Sequence, residues 1–206
     1  CTCNKGYTGP DGIQCAACIA GTYKDMNGSA ACTLCSRGTY SAKPAQSVCS
    51  VCPAHAFSGA GSIAQANCTC NKGYTGPDGS ECEACTAGGF KDVNGSAACT
   101  LCSRGTYSAK PAQSVCSVCP AHAFSGAGSI AQANCTCNKG YTGPDGSECE
   151  ACTAGGFKDV NGSAACMLCT RGKYSTATAA ISEATCQACP SYTYSPDGSG
   201  LLTNCT

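Results

Sequence analysis

Cysteine falls along this chain as C-x-x-C pairs at 15/18, 32/35 and 49/52 and then as C-x-C at 68/70, and the same series runs on through all 206 residues. Thirteen residues separate successive pairs, fifteen lead from Cys52 to Cys68 and eleven from Cys70 to Cys82. A chain with 25 thiols spaced this evenly has its fold decided by what those thiols bond. Apolar burial is no rival. Leu, Ile, Val and Phe together number 20, too few to build one sizeable core across 206 residues. Disorder from so low an apolar content usually comes with a high net charge. Here 12 basic residues balance 12 acidic ones. The composition is that of a disulfide scaffold, and so many structural thiols require an oxidising compartment, so the chain is expected to be extracellular, either secreted or at the cell surface.

Internal repetition sets the architecture. The phrase C-T-C-N-K-G-Y-T-G-P-D-G begins at Cys1, Cys68 and Cys135, a period of 67 residues. Residues 1–67 and 68–134 differ at seven positions: 13, 14, 16, 19, 22, 23 and 26 of the first copy. The third copy, 135–206, follows closely to Cys166, then drifts and inserts three residues between Cys169 and Cys186. The chain begins and stops at the same phase of the repeat, which reads as a window from a longer array. Each repeat divides into four short loops, and each loop carries an aromatic at a fixed offset. Tyr23, Tyr40 and Phe57 stand five residues after Cys18, Cys35 and Cys52, and Tyr7 stands four after Cys3. Twelve of the thirteen aromatics obey this rule, ending at Tyr194. The expectation is that each ring packs on a neighbouring disulfide and gives its loop a miniature core.

Turn residues punctuate every loop, as in Thr8-Gly9-Pro10-Asp11-Gly12 and Asn27-Gly28-Ser29. The segments between them allow short two-stranded ribbons, with at most a helical turn at 28–31 or 61–66. The expected fold class is therefore a small disulfide-rich one, an elongated linear array of disulfide-closed loops in which each loop touches its neighbours.

Connectivity does not follow from sequence, but loop spacing suggests a serial scheme in which the second cysteine of each pair bonds the first of the next. That gives Cys3–Cys15, Cys18–Cys32, Cys35–Cys49 and Cys52–Cys68. It continues as Cys70–Cys82, Cys85–Cys99, Cys102–Cys116 and Cys119–Cys135, then Cys137–Cys149, Cys152–Cys166, Cys169–Cys186 and Cys189–Cys205. Cys1 is left over, its partner expected in a preceding repeat. A knotted pairing across neighbouring units is the alternative. Each closed loop of this size contributes roughly 3 kcal/mol in the chain-entropy model.

Two resemblances bear on this framework. Cys1-Thr-Cys3-Asn-Lys-Gly6-Tyr7 followed by Cys15 resembles the C-terminal half of an EGF-like module, whose last two cysteines are bonded. The resemblance implies Cys3–Cys15, Cys70–Cys82 and Cys137–Cys149. The module's first half and its acidic calcium motif are not evident, so no bound calcium is expected. The other loops, typified by Cys32-Thr-Leu-Cys35-Ser-Arg-Gly38-Thr39-Tyr40-Ser41 closing at Cys49-Ser-Val-Cys52-Pro53, resemble the ephrin-receptor-like cysteine-rich repeat. Modules of that kind occur in receptor ectodomains and in long extracellular surface proteins of microbial eukaryotes. Copies as alike as these depart from typical receptors, whose modules diverge.

Chemical sites find little support. Repeated C-x-x-C pairs raise zinc, but they form one even series with no isolated foursome, and the thioredoxin-like context of a redox motif is missing. His55 and His122 are one repeat position that reads Tyr192 in the third copy, so they suit packing or surface better than catalysis. Asp11, Asp78 and Asp145, with Asp25, Asp92 and Asp159, read as turn residues. No catalytic set stands out, and no enzyme, metal or cofactor is expected. Balanced charge without a basic run argues against nucleic acid, and no apolar stretch is long enough to span a membrane. Six N-x-[ST] sequons, at Asn27, Asn67, Asn94, Asn134, Asn161 and Asn204, suit N-linked glycans. The expectation is a structural extracellular glycoprotein that self-associates into a fibre or cell-surface filament, with lateral contacts on the Ala-rich stretch 58–66. The alternative is a stalk or ligand-binding region of a receptor or adhesion ectodomain.

Overall fold

A thirteen-residue loop tied at its ends has room for one hairpin and little else. The computed structural model describes all 206 residues and shows that unit repeated. Eleven antiparallel ribbons, each of two two-residue strands, follow one another along the chain. In the first, Tyr7 pairs with Ala17 and Thr8 with Ala16; in the next, Thr22 pairs with Leu34 and Tyr23 with Thr33. Thr39–Tyr40 then pairs with Ser50–Val51, and Ala56–Phe57 with Thr69–Cys70. The twelfth loop closes on reciprocal backbone bonds between Tyr194 and Thr206 at 2.9 and 3.0 Å. The only helical elements are 3-10 turns at Gln65–Asn67, Gln132–Asn134, Glu183–Thr185 and Leu202–Asn204. The first of them straddles the end of the expected stretch 61–66, while 28–31 is bends and coil with no helical turn. No helix is long and apolar enough to cross a membrane.

The chain divides into two compact units. One comprises residues 1–86, 90–100 and 111–115, the other 87–89, 101–110 and 116–206. The first unit contains the six disulfides from Cys3–Cys15 to Cys85–Cys99, and the second the six from Cys102–Cys116 to Cys189–Cys205. Within each unit the same backbone bonds tie a loop to the next. Gly21 N–H donates to Ser41 O (2.8 Å), Gly38 N–H to Ser58 O (2.9 Å), and Ala45 N–H to Cys18 O (2.8 Å). In the second unit Gly105 N–H donates to Ser125 O (2.9 Å), Gly155 N–H to Ser175 O (2.8 Å), and Gly198 N–H to Cys169 O (2.8 Å). Two-residue strands satisfy few backbone groups alone, so these loop-to-loop bonds do the work that a wider sheet does elsewhere.

The interior is sulfur and polar groups. Apart from cysteines, the only buried apolar residues are Phe157 and Ala180. Beside them are buried Ser41, Ser58, Ser108, Ser125, Ser175, Ser195 and Ser199, Thr22, and three lysines, Lys24, Lys91 and Lys158. No buried side-chain nitrogen or oxygen lacks a hydrogen-bond partner, which is the condition for a polar interior to be stable.

Candidate functional site

The disulfides are the first candidates. The structure pairs cysteines serially, the second of each pair with the first of the next, and each Cα–Cα distance lies between 5.6 and 5.8 Å, within the usual span. Cys1 alone is free, and it is exposed. Titration of the native chain should therefore find one thiol, and non-reducing peptide mapping should recover Cys18 bonded to Cys32. Cys18 bonded to Cys35 or Cys49 would overturn the serial order.

The aromatic rings behave differently from the sequence expectation. Phe157 alone is buried, clustered with Cys169, Cys186 and Ala180 beside the Cys169–Cys186 bridge. The other rings at that offset are half-exposed or exposed. Two of them carry a cation over the face: Arg37 Cζ lies 5.2 Å from the Phe57 centroid and Arg104 Cζ 5.4 Å from that of Phe124. In nine of the twelve loops the enclosed side chain belongs to the residue after the ring, while Thr8, Thr75 and Thr142 are half-buried. After Phe57 and Phe124 it is serine: Ser58 Oγ donates to Thr39 O (3.0 Å) and Ser125 Oγ to Thr106 O (2.9 Å). After Tyr23, Phe90 and Phe157 it is lysine. Lys24 Nζ donates to Tyr7 O (2.6 Å) and Gly28 O, Lys91 Nζ to Tyr74 O (2.6 Å) and Gly95 O, and Lys158 Nζ to Tyr141 O (2.6 Å) and Gly162 O. Burial pushes the Lys91 and Lys158 ammonium groups below their ordinary pKa of 10.5, with Asp78 and Asp145 pulling partly the other way. These clamps were not singled out in sequence. The signal was there, since the position after the ring is always Lys, Ser or Thr.

His55 and His122 replace the glycine that follows the cysteine pair in other loops. Their φ is 59°, matching the left-handed backbone of Gly38 and Gly105 at 79° and 80°. Each imidazole stacks on the tyrosine of the next loop, His55 on Tyr74 and His122 on Tyr141, with centroids 4.1 Å apart. Tyr192 holds the same place, at φ 67°, and is fully exposed. A stacked ring at a turn is a packing group. Asp25, Asp92 and Asp159 are exposed beside their turns.

All six sequon asparagines are exposed, and each is also structural. Asn27, Asn94 and Asn161 Oδ1 accept from the backbone N–H of Lys5, Lys72 and Lys139 at 3.0 Å. Asn67, Asn134 and Asn204 close the 3-10 turns by accepting from Ala64, Ala131 and Leu201 N–H at 3.0 Å. Every one of these bonds uses Oδ1 and leaves Nδ2, the atom an N-glycan is joined to, pointing elsewhere.

The comparisons with known proteins accord with this geometry. Residues 6–45 and 21–70 match the family model of tyrosine-protein kinase ephrin type A/B receptor-like repeats. No curated protein matches the chain. The match covers residues 6–67 of the first repeat; nearly the same sequence returns one period later, and two periods later as far as Cys166. Twelve disulfides and this repeat type point to an extracellular or cell-surface region. The chain is a tandem array of disulfide-closed cysteine-rich repeats, of which residues 6–70 match the ephrin-receptor-like model.

Proposed function

We propose that the chain is a structural extracellular glycoprotein, a repeat subunit of a fibre or cell-surface filament, and not an enzyme. The observation that carries this reading is where the aliphatic side chains go. The interior is made of disulfides, serines and lysines, and all sixteen Leu, Ile and Val side chains face outward. Repeats 1–67 and 68–134 thus present the same aliphatic groups 67 residues apart, Leu34, Val48, Val51 and Ile63 recurring as Leu101, Val115, Val118 and Ile130, and repeat 135–206 keeps Leu168 at that interval. A surface of that kind suits regular self-association, with Ile63 in the stretch 58–66 among its contacts. The family's description favours the second reading, a stalk or ligand-binding region of a receptor or adhesion ectodomain. Electron microscopy of the oxidised protein separates the two. Filaments with a regular axial repeat are expected for the fibre, and single particles that never associate would sink it.

N-linked glycans complete this reading. Glycopeptide mass spectrometry should find Asn27, Asn94 and Asn161 occupied more fully than Asn67, Asn134 and Asn204, where an early disulfide at the adjacent cysteine competes with glycosylation. Because Asn27 Oδ1 holds Lys5 N–H, the sequon is best removed with Ser29→Ala, which spares the asparagine. An unoccupied set of sites would remove the glycoprotein element.

A further inference from the structure

Aliphatic side chains usually drive folding by leaving water. Here each Leu, Ile and Val is at least 49% exposed, the lowest being Leu202. Disulfides hold the loops, and the aliphatic surface is left for another use. In the first repeat two such side chains frame a floor that has no side chains of its own. Leu34 (62% exposed) and Ile63 (59%) flank the contact between Gly21 and Gly61. A Cβ on Gly61 would stand 3.1 Å from Leu34 Cδ2, and one on Gly21 would stand 3.0 Å from Ile63 Cγ2. The last repeat builds the same floor with different walls. Gly155 abuts the Gly198 carbonyl, and Leu168 Cδ2 lies 3.1 Å from a Cβ placed on Gly198. Where the first repeat has Ile63, the last has Gly200, followed by the exposed Leu201. One seat therefore has bulk where the other has a glycine.

Charge indicates the occupant. Residues 1–67 carry Lys5, Lys24, Arg37 and Lys43 against Asp11 and Asp25, a net +2. Residues 68–134 carry four cations and four anions and are neutral. Residues 135–206 carry four cations against Asp145, Glu148, Glu150, Asp159, Glu183 and Asp197, a net −2. Between copies, first repeats repel one another, last repeats repel one another, and a first repeat attracts a last.

We propose that the Leu34–Ile63 seat of one copy docks on the Leu168–Leu201 seat of a second copy of this chain. The proposal rests on the fibre reading and names its contact. Leu101 and Ile130 flank the same Gly88–Gly128 contact on the neutral second repeat, so charge, not shape, picks the first-repeat seat. A copy carries both partners of the contact, which is therefore heterologous and propagates unless it closes into a ring. Apolar contact supplies attraction, and the opposed charges select first-on-last over the like pairings.

Complementary variants test it. By sedimentation velocity on the oxidised 206-residue chain, the wild type should show oligomers that grow with concentration and weaken several-fold between about 0.05 M and about 0.5 M salt. Leu34→Asp with Ile63→Asp, and separately Leu168→Asp with Leu201→Asp, should each lower the association constant at least tenfold. All four positions are exposed, and a single titratable thiol per chain certifies that each variant is oxidised as the wild type is. Mixing the two double variants should restore dimers and nothing larger, because between them one Leu34–Ile63 seat and one Leu168–Leu201 seat remain, and the Leu101–Ile130 seat, intact in both, sits on a neutral repeat. Variants that assemble like wild type, or a mixture that stays monomeric, would overturn this contact while leaving a fibre possible by another surface. A wild type that stays monomeric at every concentration would overturn the contact and the fibre reading together.

Discussion

Gly21→Ala opens the loops around it, and Gly38→Ala largely spares them. The two glycines have the same backbone, φ +80° and +79°, and each donates its N–H to the carbonyl two positions into the next loop's ribbon end, Ser41 and Ser58. A Cβ costs both of them about 1–2 kcal/mol for the left-handed conformation. The difference lies beyond φ. A Cβ on Gly21 overlaps the Gly61 carbonyl oxygen and stands 3.0 Å from Ile63 Cγ2, while one on Gly38 meets nothing within 4 Å. The obstacle at Gly21 is backbone two loops away, itself held by Gly61 N–H donating to Cys35 O at 2.8 Å, so it has little freedom to yield. Overpacking of that kind adds roughly 1–3 kcal/mol. In a serial array the damage is local, so the readout is hydrogen exchange. Peptides covering residues 35–61 should exchange about tenfold faster in Gly38→Ala and about a hundredfold or more faster in Gly21→Ala, at roughly 1.4 kcal/mol per decade. Equal exchange in the two variants would show that the Gly21–Gly61 approach is not a constraint. His55 and His122 already show that an open glycine position accepts a side chain.

The cysteine periodicity made the ribbons legible because it is geometric. A loop of eleven to sixteen residues, tied at both ends and broken by Gly-containing turns, folds back on itself whatever else it contains. What could not be read was which side chains the loops enclose. Ordinary hydrophobic logic places Leu34, Val51 and Ile63 inside and Lys24, Ser41 and Ser58 outside, and the structure reverses this. A two-residue ribbon has no broad face to cover an aliphatic group. The space enclosed is bounded instead by backbone carbonyls and sulfur, which suits a hydroxyl or one extended lysine. The diverged third copy held the clue. There His gives way to Tyr192, yet the residue after the ring is still serine, and Ser195 Oγ donates to Lys173 O at 2.9 Å. The aliphatic seats were hidden for a related reason. Gly21 and Gly61 are forty positions apart, and only loop stacking brings Leu34 and Ile63 to the two sides of their contact.

Lys158→Met should loosen the loop from Cys152 to Cys166 more than any surface change there. Lys158 is 1% exposed, and its Nζ is the shared donor to the carbonyls of Tyr141 and Gly162. Methionine fills the space but donates nothing. The two carbonyls that face the enclosed amine would then lose their partner, at a cost of about 2–4 kcal/mol for the pair, and exchange in peptides covering 140–166 should rise by roughly one to three decades. The pH dependence separates a donor from a mere filler. Burial lowers the Lys158 pKa in the folded chain below 10.5. Between that lowered value and 10.5 the unfolded chain binds more protons than the folded one, so stability rises with pH through this window. The gain is physically consistent with the clamp. A neutral amine keeps two N–H groups, one for each carbonyl, while the cost of burying a charge disappears. With Cys1 blocked against disulfide exchange, the denaturant midpoint of the wild type should therefore climb relative to Lys158→Met as pH rises toward 10.5. Midpoints that run parallel would mean the lysine enters the fold with its proton affinity unchanged, and the carbonyls of Tyr141 and Gly162 would then be gripping a full ammonium strongly enough to offset its burial.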